Sequence, residues 1–194
     1  MSLQNDQYYI YRAMEGDSQA FAVLIDRYKY MVYTLAVRII KNKEEAEEVA
    51  QDVFLNIYKN ISSFKGDSKF STWVYRIAYN RSLDYVKKLS RSLETSEIDT
   101  HTERHVQLVE NTLDCLEREE RRDTIKGAIK ELSGDDSVLI TLYYYEELSL
   151  NEIATIMEQS ANTIKVRLFR ARKRLAQILT ERLEPETIRS YGRK

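Results

Sequence analysis

The fold is decided most clearly by residues 149–179, which read SLNEIATIMEQSANTIKVRLFRARKRLAQIL. The first four residues, Ser149 to Glu152, form a capping box, in which a serine hydroxyl and a glutamate carboxylate accept from backbone N–H groups at a helix start. Apolar residues at spacings of three and four follow in two groups, separated by Glu158, Gln159 and Ser160. The stretch therefore predicts a short capped helix, a tight turn and a longer helix from Ala161 to about Leu179, with Ser160 as its N-cap.

The longer helix is predicted to have one apolar face and one basic face. The apolar face consists of Ile164, Leu168, Ala171, Leu175 and Ile178. Six basic residues lie between Lys165 and Arg174, and no acidic residue occurs between Glu158 and Glu181. A short helix, a turn and a longer basic helix are typical of a helix-turn-helix, whose second helix lies in the DNA major groove. The alternative is a solvated surface or a site for an acidic protein, although ordinary surfaces mix both signs of charge.

Composition favours an all-α fold for the rest of the chain. Five glycines and one proline in 194 residues are few for sheets joined by tight turns. Apolar residues make up 43% and charged residues 31%, which excludes a disordered chain. No apolar run approaches the ~18 residues of a membrane span, and residues 1–6 have no basic-then-apolar leader pattern. Cys115 stands alone and cannot form an internal disulfide, so we expect a cytoplasmic protein.

The first ninety residues predict a small helical domain. Apolar residues from Phe21 to Ile39 indicate one long helix, with Gly16 ending a shorter helix before it and Asp17 as an N-cap. A second helix has an apolar stripe, which consists of Ala46, Val49, Ala50, Val53, Phe54, Ile57, Tyr58 and Ile61. A polar break at residues 62–68 precedes a third helix, which is expected from about Ser71 to Leu89.

We therefore predict two small helical domains joined by a polar linker. The first domain covers residues 1–90, the linker 91–112, the helix-turn-helix domain 113–184 and a tail 185–194. The periodicity fades in the linker. Between Arg91 and Asp123 there are ten acidic and five basic residues, so this part of the chain is acidic.

Residues 64–76, which read FKGDSKFSTWVYR, mix aromatic and basic side chains. Aromatic faces stack on unpaired bases and cations follow the phosphate backbone, so this composition suits single-stranded nucleic acid. The alternative is a structural role for part of the set, with Trp73 and Ile77 in the core and Phe70 fixing the helix start.

Together these segments resemble the extracytoplasmic-function (ECF) class of bacterial sigma factors, in the sigma-70 family. The resemblance covers nearly the whole chain except the linker and tail. The blocks that carry it, in order, are Gly16-Asp17 with Ala20-Phe21, residues 45–54, 64–73, 75–80, 148–154 and 163–172. It implies a factor that directs RNA polymerase core enzyme to promoters and helps open them, without enzymatic activity, cofactor or metal.

The resemblance also implies a role for each block. The minus-ten element would be recognised, and one non-template base held, by Phe64, Lys65, Gly66, Asp67, Ser68, Lys69, Phe70, Trp73, Arg76, Asn80 and Arg81. The minus-thirty-five element would be bound by Ser160, Asn162, Thr163, Lys165, Val166, Arg167, Phe169, Arg170, Arg172, Lys173 and Arg174. The clamp helices of the largest polymerase subunit would contact Glu44, Glu45, Glu48, Gln51, Asp52 and Asn56.

Further partners follow from the resemblance. The polymerase flap is a second docking site, the acidic linker would run toward the RNA exit path, and an anti-sigma factor would cover the polymerase-binding faces. Two departures matter. Residues 160–163 read SANT where many members have Pro-x-Gly-Thr, and Val166 stands where several carry a polar residue. The promoter sequence therefore cannot be carried over from relatives.

Three other interpretations stay open at this point. Glu44, Glu48 and Asp52 share a helix face at i, i+4 and i+8, which could hold Mg²⁺ in a nuclease. A DNA-binding activator with a signal-sensing first domain would also contain a helix-turn-helix. His101, His105 and Cys115 offer three potential zinc ligands at a poor spacing.

Overall fold

A computed structural model of the chain describes residues 6–92 and 118–182, and the side chains of 6–90 and 122–182. These residues form helices and turns with no strand. The helices are α1 (Asp6–Met14), α2 (Ser18–Ile40), α3 (Lys43–Asn60), α4 (Phe70–Ser92), α5 (Arg118–Glu131), α6 (Gly134–Tyr144), α7 (Leu150–Met157) and α8 (Ala161–Arg182). A 3-10 turn, Ile61–Ser63, follows α3. The predicted all-α class is confirmed.

The described residues divide into two compact units. The first contains α1 to α4 together with residues 149–160, and the second contains α5, α6 and α8. The sequence placed residues 149–160 in the second domain, whereas their contacts place them in the first unit. The boundaries predicted near residue 112 and residue 184 lie outside the described residues, as do His101, His105, Cys115 and Pro185.

The first unit is built around α2, which packs against α1, α3 and α4. Leu24, Val32 and Leu35 of α2 are almost fully buried, as the apolar stripe predicted. Tyr28 is also buried, with its ring 5.6 Å from that of Phe70. Burial, and then its hydrogen bond to Asp6, raises the pKa of the Tyr28 hydroxyl, which donates to that carboxylate over 2.5 Å.

Local polar signals set the helix ends of this unit. Asp17 accepts from the N–H groups of Gln19 and Ala20 at 2.9 and 3.1 Å, which confirms it as the N-cap of α2. Gly16 has a φ of +92°, a conformation that glycine adopts without strain, and it separates α1 from α2. Asn42 caps α3 in the same way, which the sequence analysis did not predict.

Tyr58 departs from the predicted apolar stripe of α3. Val49, Val53 and Ile57 are buried as expected, but Tyr58 is exposed at the end of the stripe. Its ring lies 4.9 Å from that of Phe21. A large ring can cover a core residue from the side while keeping its hydroxyl in water, and periodicity alone does not distinguish this from burial.

Helix α7 begins with the predicted capping box. The Ser149 hydroxyl accepts from the Glu152 N–H at 3.3 Å, and the Glu152 carboxylate accepts from the Ser149 N–H at 2.9 Å. Ile153, Ile156 and Met157 are buried, and the helix packs against α4 within the first unit. The apolar face of this two-turn helix therefore contributes to the core of that unit.

The second unit is a three-helix arrangement in which α8 packs against α5 and α6. Helix α6 is buried continuously from Asp136 to Leu142. Ile164, Leu168 and Ala171 of α8 are buried as predicted, but Leu175 and Ile178 are only half-buried, and Ala176 and Leu179 take the buried positions. The buried face of α8 therefore shifts by about one residue along its last turns.

Candidate nucleic-acid interface

The first half of α8 presents an exposed polar and basic surface opposite its buried face. We call the exposed side chains at the start of α8 the recognition face. They are Asn162, Thr163, Lys165, Val166, Phe169 and Arg170. Val166 is 43% exposed and Phe169 59% exposed, so two apolar side chains three residues apart on one helix surface face solvent. The ammonium of Lys173 lies 5.1 Å from the Phe169 ring centre. This face can offer both apolar and cationic groups to a ligand.

Two arginines of α8 are held by acidic residues at the start of α6. Arg167 donates to Asp135 at 3.0 Å, and Arg174 donates to Asp136 at 2.5 Å. Asp136 is only 4% exposed, so its carboxylate is compensated mainly by these guanidinium groups. Arg167 and Arg174 thus connect α8 to α6, whereas Lys165, Arg170 and Arg172 extend into solvent.

Asp135 and Asp136 were not predicted from the sequence as partners of these arginines. Ser133 caps α6 by accepting from the Asp136 N–H at 3.3 Å, so the Ser133-x-x-Asp136 spacing was a local signal of the helix start. Nothing local indicated that these acids meet arginines more than thirty residues away.

The segment between α3 and α4, together with the first turns of α4, lines a cavity of about 220 Å³. We call this cavity the loop pocket. It is lined by Ser63, Phe64, Lys65, Asp67, Ser68, Trp73 and Arg76. All of these except Ser63 belong to the residues that the sequence singled out. Ser63 lies at the end of the 3-10 turn, where only the polar break pointed to it.

An aromatic cluster forms one side of the loop pocket. The rings of Phe64, Phe70 and Trp73 lie 5.2 to 5.6 Å apart in edge-on and tilted arrangements. Phe70 is buried against Tyr28, while Phe64 and Trp73 are half-buried. Phe70 is therefore in the core at the start of α4, and the other two rings form the cavity wall. Trp73 and Ile77, which the alternative interpretation placed in the core, are only half-buried.

Three more predicted residues lie on or beside α4. Lys69 forms an ion pair with Glu152 of α7 at 2.7 Å. The Asn80 amide donates to Glu158 at 3.0 Å, and Arg81 is exposed. The hydrogen bond from Lys69, followed by those from Ser149, outweighs desolvation and lowers the pKa of Glu152 to about 2.

The polar face of α3 carries the third predicted set. Glu44, Glu48, Gln51 and Asp52 are exposed, whereas Glu45 and Asn56 are half-buried. Partial burial, and then its hydrogen bond to Glu45, raises the pKa of the Tyr85 hydroxyl. Leu55 is an exposed apolar residue on the same helix that the sequence analysis did not select.

Within residues 6–92 and 118–182, no three His, Cys, Asp or Glu side chains converge as metal ligands would. None of the helices that the structure describes is both long and apolar enough to cross a membrane.

Comparison with known proteins places both units in one family. The family model of Sigma-70 region 2 matches residues 24–92, and that of Sigma-70 region 4 matches residues 122–175. The RNA polymerase sigma-H factor of Pseudomonas aeruginosa is 30% identical over 92% of this chain and 96% of its own. The ECF RNA polymerase sigma factor SigW of Bacillus subtilis is 35% identical over 89% of this chain and 95% of its own.

Solved structures agree at the level of the fold. The sigma factor RpoE of Bartonella quintana, solved in complex with the anti-sigma factor NepR, aligns with a TM-score of 0.63 and 23% identity. That alignment covers 82% of this chain and 96% of the other. With two family models and two relatives matched along nearly their full length, this chain belongs to the extracytoplasmic-function class of the sigma-70 family, the factors that direct bacterial RNA polymerase to its promoters.

Proposed function

We propose that this sigma factor reads a promoter with two surfaces that require different states of DNA. The recognition face of α8 binds the minus-thirty-five element as intact duplex, and the loop pocket holds a base extruded from the minus-ten element. The observation that carries this proposal is the loop pocket itself, a cavity with aromatic and cationic walls in the segment that resembles the minus-ten reader.

The chemistry of the loop pocket suits one unstacked base. Phe64 and Trp73 offer ring faces, and Lys65 and Arg76 offer charge to the flanking phosphates. Asp67 can accept from an exocyclic amino group. Unstacking a base costs a few kcal/mol, and a preformed pocket offsets this cost because its rings are already held by one another. Arg81 and Asn80 lie further along α4, where they would contact the adjoining duplex.

The chemistry of the recognition face suits base edges in a major groove. Lys165 and Arg170 can donate to purine acceptors, and the apolar Val166 and Phe169 can contact thymine methyl groups. Phosphates would be held by the cations around them, which are Arg167, Arg172, Lys173 and Arg174, and by the polar residues Ser160, Asn162 and Thr163 at the helix start. Because Asp135 and Asp136 fix two of these arginines, part of the basic surface is positioned before DNA arrives.

The remaining assignments concern protein partners. The exposed acidic face of α3 would bind the clamp helices of the largest polymerase subunit, and the second unit would bind the flap. The acidic linker would run toward the RNA exit path. An anti-sigma factor would cover the polymerase-binding faces. The structural relative from Bartonella quintana was solved in complex with an anti-sigma factor. All of this takes place in the cytoplasm, where the polymerase acts, and the chain itself catalyses no reaction.

The first experiment combines the purified chain with core polymerase and maps transcript starts on genomic DNA. We expect starts that share two upstream elements, and none with core enzyme alone. On one such promoter, Lys65→Ala with Arg76→Ala should impair opening, measured by permanganate reactivity of unpaired thymines. Arg170→Ala should instead impair duplex binding, measured by footprinting of the closed complex.

Matched controls remove an exposed lysine elsewhere. Lys29→Ala serves for the first unit and Lys130→Ala for the second, and both should behave as wild type. An absence of promoter-specific starts on any template would refute the proposal. Tight, specific duplex binding without polymerase would favour the activator, and loss of supercoiled DNA with Mg²⁺ alone would favour the nuclease.

A further inference from the structure

Helix α7 was predicted as the first helix of the helix-turn-helix, but its contacts place it in the first unit. Along the chain it precedes α8, from which only residues 158–160 separate it. Within the first unit it packs against α4. Its apolar residues Ile153, Ile156 and Met157 are buried. A role in the helix-turn-helix alone does not explain why α7 belongs to the unit that contains α4.

Two acidic residues hold α7 near both of its ends. Glu152, in the first turn, pairs with the Lys69 ammonium at 2.7 Å. Glu158, the C-cap residue, accepts from the Asn80 amide at 3.0 Å. The position of α7 beside α4 is therefore fixed by polar contacts as well as by the burial of its apolar face.

Both contacts use donors that we assign to DNA. Ammonium and side-chain amide groups bind phosphate oxygens and base edges in protein–DNA complexes. Here a carboxylate of Glu152 occupies the ammonium of Lys69, and a carboxylate of Glu158 occupies the amide of Asn80. Because these donors face acceptors of the chain itself, DNA can replace the acceptors only when α7 releases them.

The backbone of Glu158 supports a role for its side chain. Its φ of 53° and ψ of 43° lie in the left-handed region, which disfavours residues with a Cβ. Glycine would adopt this conformation without strain, but it would lose the carboxylate that accepts from Asn80. The turn after α7 alone therefore does not explain a glutamate at this position, whereas the contact with Asn80 does.

We propose that the free chain has a closed state, in which Glu152 and Glu158 occupy the minus-ten donors Lys69 and Asn80 in place of DNA. In the open state α7 leaves α4 and both donors are free. Only the open fraction binds the minus-ten element through these donors, so the closed state lowers the apparent affinity of the chain by that fraction. This inference rests on the proposed function, which assigns Lys69 and Asn80 to DNA.

The test measures binding of the full chain, without polymerase, to a fluorescent single-stranded oligonucleotide with the non-template minus-ten sequence of a mapped promoter. Glu158→Gly should raise the affinity by about 3- to 10-fold, the effect expected from losing one partly exposed hydrogen bond to a charged group. Resistance to urea should not fall, because relief of the left-handed strain offsets the lost hydrogen bond. A substitution that only damaged the first unit would lower both affinity and stability.

Glu147→Gly is the matched control for charge and strain. Glu147 also has a left-handed backbone, with a φ of 52°, and it lies in the second unit. The substitution removes the same charge and relieves the same kind of strain without touching the contact to Asn80. The affinity for the oligonucleotide should therefore stay at the wild-type value.

A second pair of variants tests the contact at the start of α7. Glu152→Gln should raise the affinity in the wild-type background, because it breaks the ion pair with Lys69. In a Lys69→Gln background the same substitution should bring no gain, because that ion pair is already absent. A gain that persists without Lys69 would overturn the closed state, as would equal gains from Glu158→Gly and Glu147→Gly.

Failure of the closed state is distinguishable from failure of the proposed function. Promoter opening by the chain with core polymerase is measured in parallel by permanganate reactivity. If Glu158→Gly leaves oligonucleotide binding unchanged while Trp73→Ala still prevents opening, the closed state is wrong and the loop pocket stands. If wild-type protein with polymerase opens no promoter, both proposals fall.

Discussion

The recognition face and the loop pocket both combine cations with aromatic rings, but they differ in shape. On α8 the ring of Phe169 and the side chain of Val166 stand in solvent on a convex, regular helix. In the loop pocket the rings of Phe64 and Trp73 rest on each other around a cavity. An exposed helix fits a major groove, whereas a cavity accepts a base only after it leaves the stack. On the proposed function, similar side chains would serve closed and opened DNA because the backbone presents them differently.

The acidic partners of the two surfaces differ as well. Asp135 and Asp136 lie beneath α8 and fix arginines from within the second unit. Glu152 and Glu158 contact two residues of the first unit that we assign to DNA, Lys69 and Asn80. On the proposed function, Asp135 and Asp136 would position cations for DNA, while Glu152 and Glu158 would compete with DNA for Lys69 and Asn80.

The largest effect is expected from Trp73→Ala, which should impair the loop pocket and leave the recognition face unchanged. The indole is half-buried against Phe64 and Phe70, so its loss should destabilise the first unit by about 2–3 kcal/mol, less than full burial would give. Promoter opening should fall by at least tenfold, because both the stacking face and the shape of the pocket are lost. Urea unfolding and permanganate reactivity measure the two effects.

Trp73→Phe is the matched control for that prediction. It keeps a ring on the wall and should recover most of the stability and part of the opening. Footprints on the minus-thirty-five element should persist in both variants. Equal loss of both elements would mean that the two surfaces are not separable as described.

The next largest effect is expected from Asp136→Asn, which tests the acids beneath α8. Removing the charge of Asp136 weakens the interaction of this side chain with Arg174 and should lower stability by about 1–2 kcal/mol. The loss is limited to this size because the Arg174 guanidinium is half-exposed and therefore screened by solvent. The same change removes a negative charge next to the basic surface, so non-specific duplex affinity should rise and its salt dependence steepen by about one unit. Asp135→Asn, at a more exposed carboxylate, should change stability, affinity and salt dependence in the same directions but by smaller amounts.

In Asp136→Asn, stability is expected to fall while non-specific duplex affinity rises, and these opposite directions make the prediction specific. A variant that only loosened the second unit would lose both stability and DNA affinity. Parallel losses in denaturant titrations and salt-dependent binding would therefore show that Asp136 acts through folding alone.

Ion pairs between distant residues could not be predicted from the sequence, whereas local features could. The capping box of Ser149 and Glu152, the N-cap Asp17 and the wall of the loop pocket were predictable because each signal lies within about a dozen residues. The pairs of Arg167 with Asp135 and of Lys69 with Glu152 connect residues 32 and 83 positions apart, and no periodicity encodes such contacts.

The buried positions in the last turns of α8 were also predicted wrongly. Spacings of three and four predicted Leu175 and Ile178 inside, but a helix of 22 residues rotates away from a fixed spacing pattern. Ala176 and Leu179 are the buried residues instead.

A moderate effect is expected from a pair of substitutions on the exposed side of α8. Arg172→Ala should weaken binding to all duplexes by a similar factor and reduce the salt slope by about one, because a guanidinium is attracted to phosphates whatever the sequence. Val166→Ala should leave the salt slope unchanged and weaken only those promoters that place a thymine methyl against it, by about 1 kcal/mol or less. Deoxyuridine in place of that thymidine should mimic Val166→Ala. Identical salt slopes for the two variants would contradict the division of this face into apolar and ionic contacts.

The smallest effect is expected from Glu152→Gln, and its dependence on pH identifies it. Glutamine retains the capping box, so the substitution removes the charge opposite Lys69 and little else. The pKa of Glu152 is lowered to about 2 in the folded protein, so its stabilising effect is complete above the ordinary glutamate pKa near 4.5 and is lost as the pH falls from there toward 2. Wild type should therefore exceed the variant by at most about 1 kcal/mol in urea unfolding at pH 7, since Lys69 is largely exposed, and the difference should shrink at pH 3. Because Lys69 then loses its acidic neighbour, affinity for a single-stranded minus-ten oligonucleotide at pH 7 should rise. A difference in stability that stays constant from pH 7 to pH 3 would show that Glu152 acts through the helix cap and does not compete with DNA for Lys69.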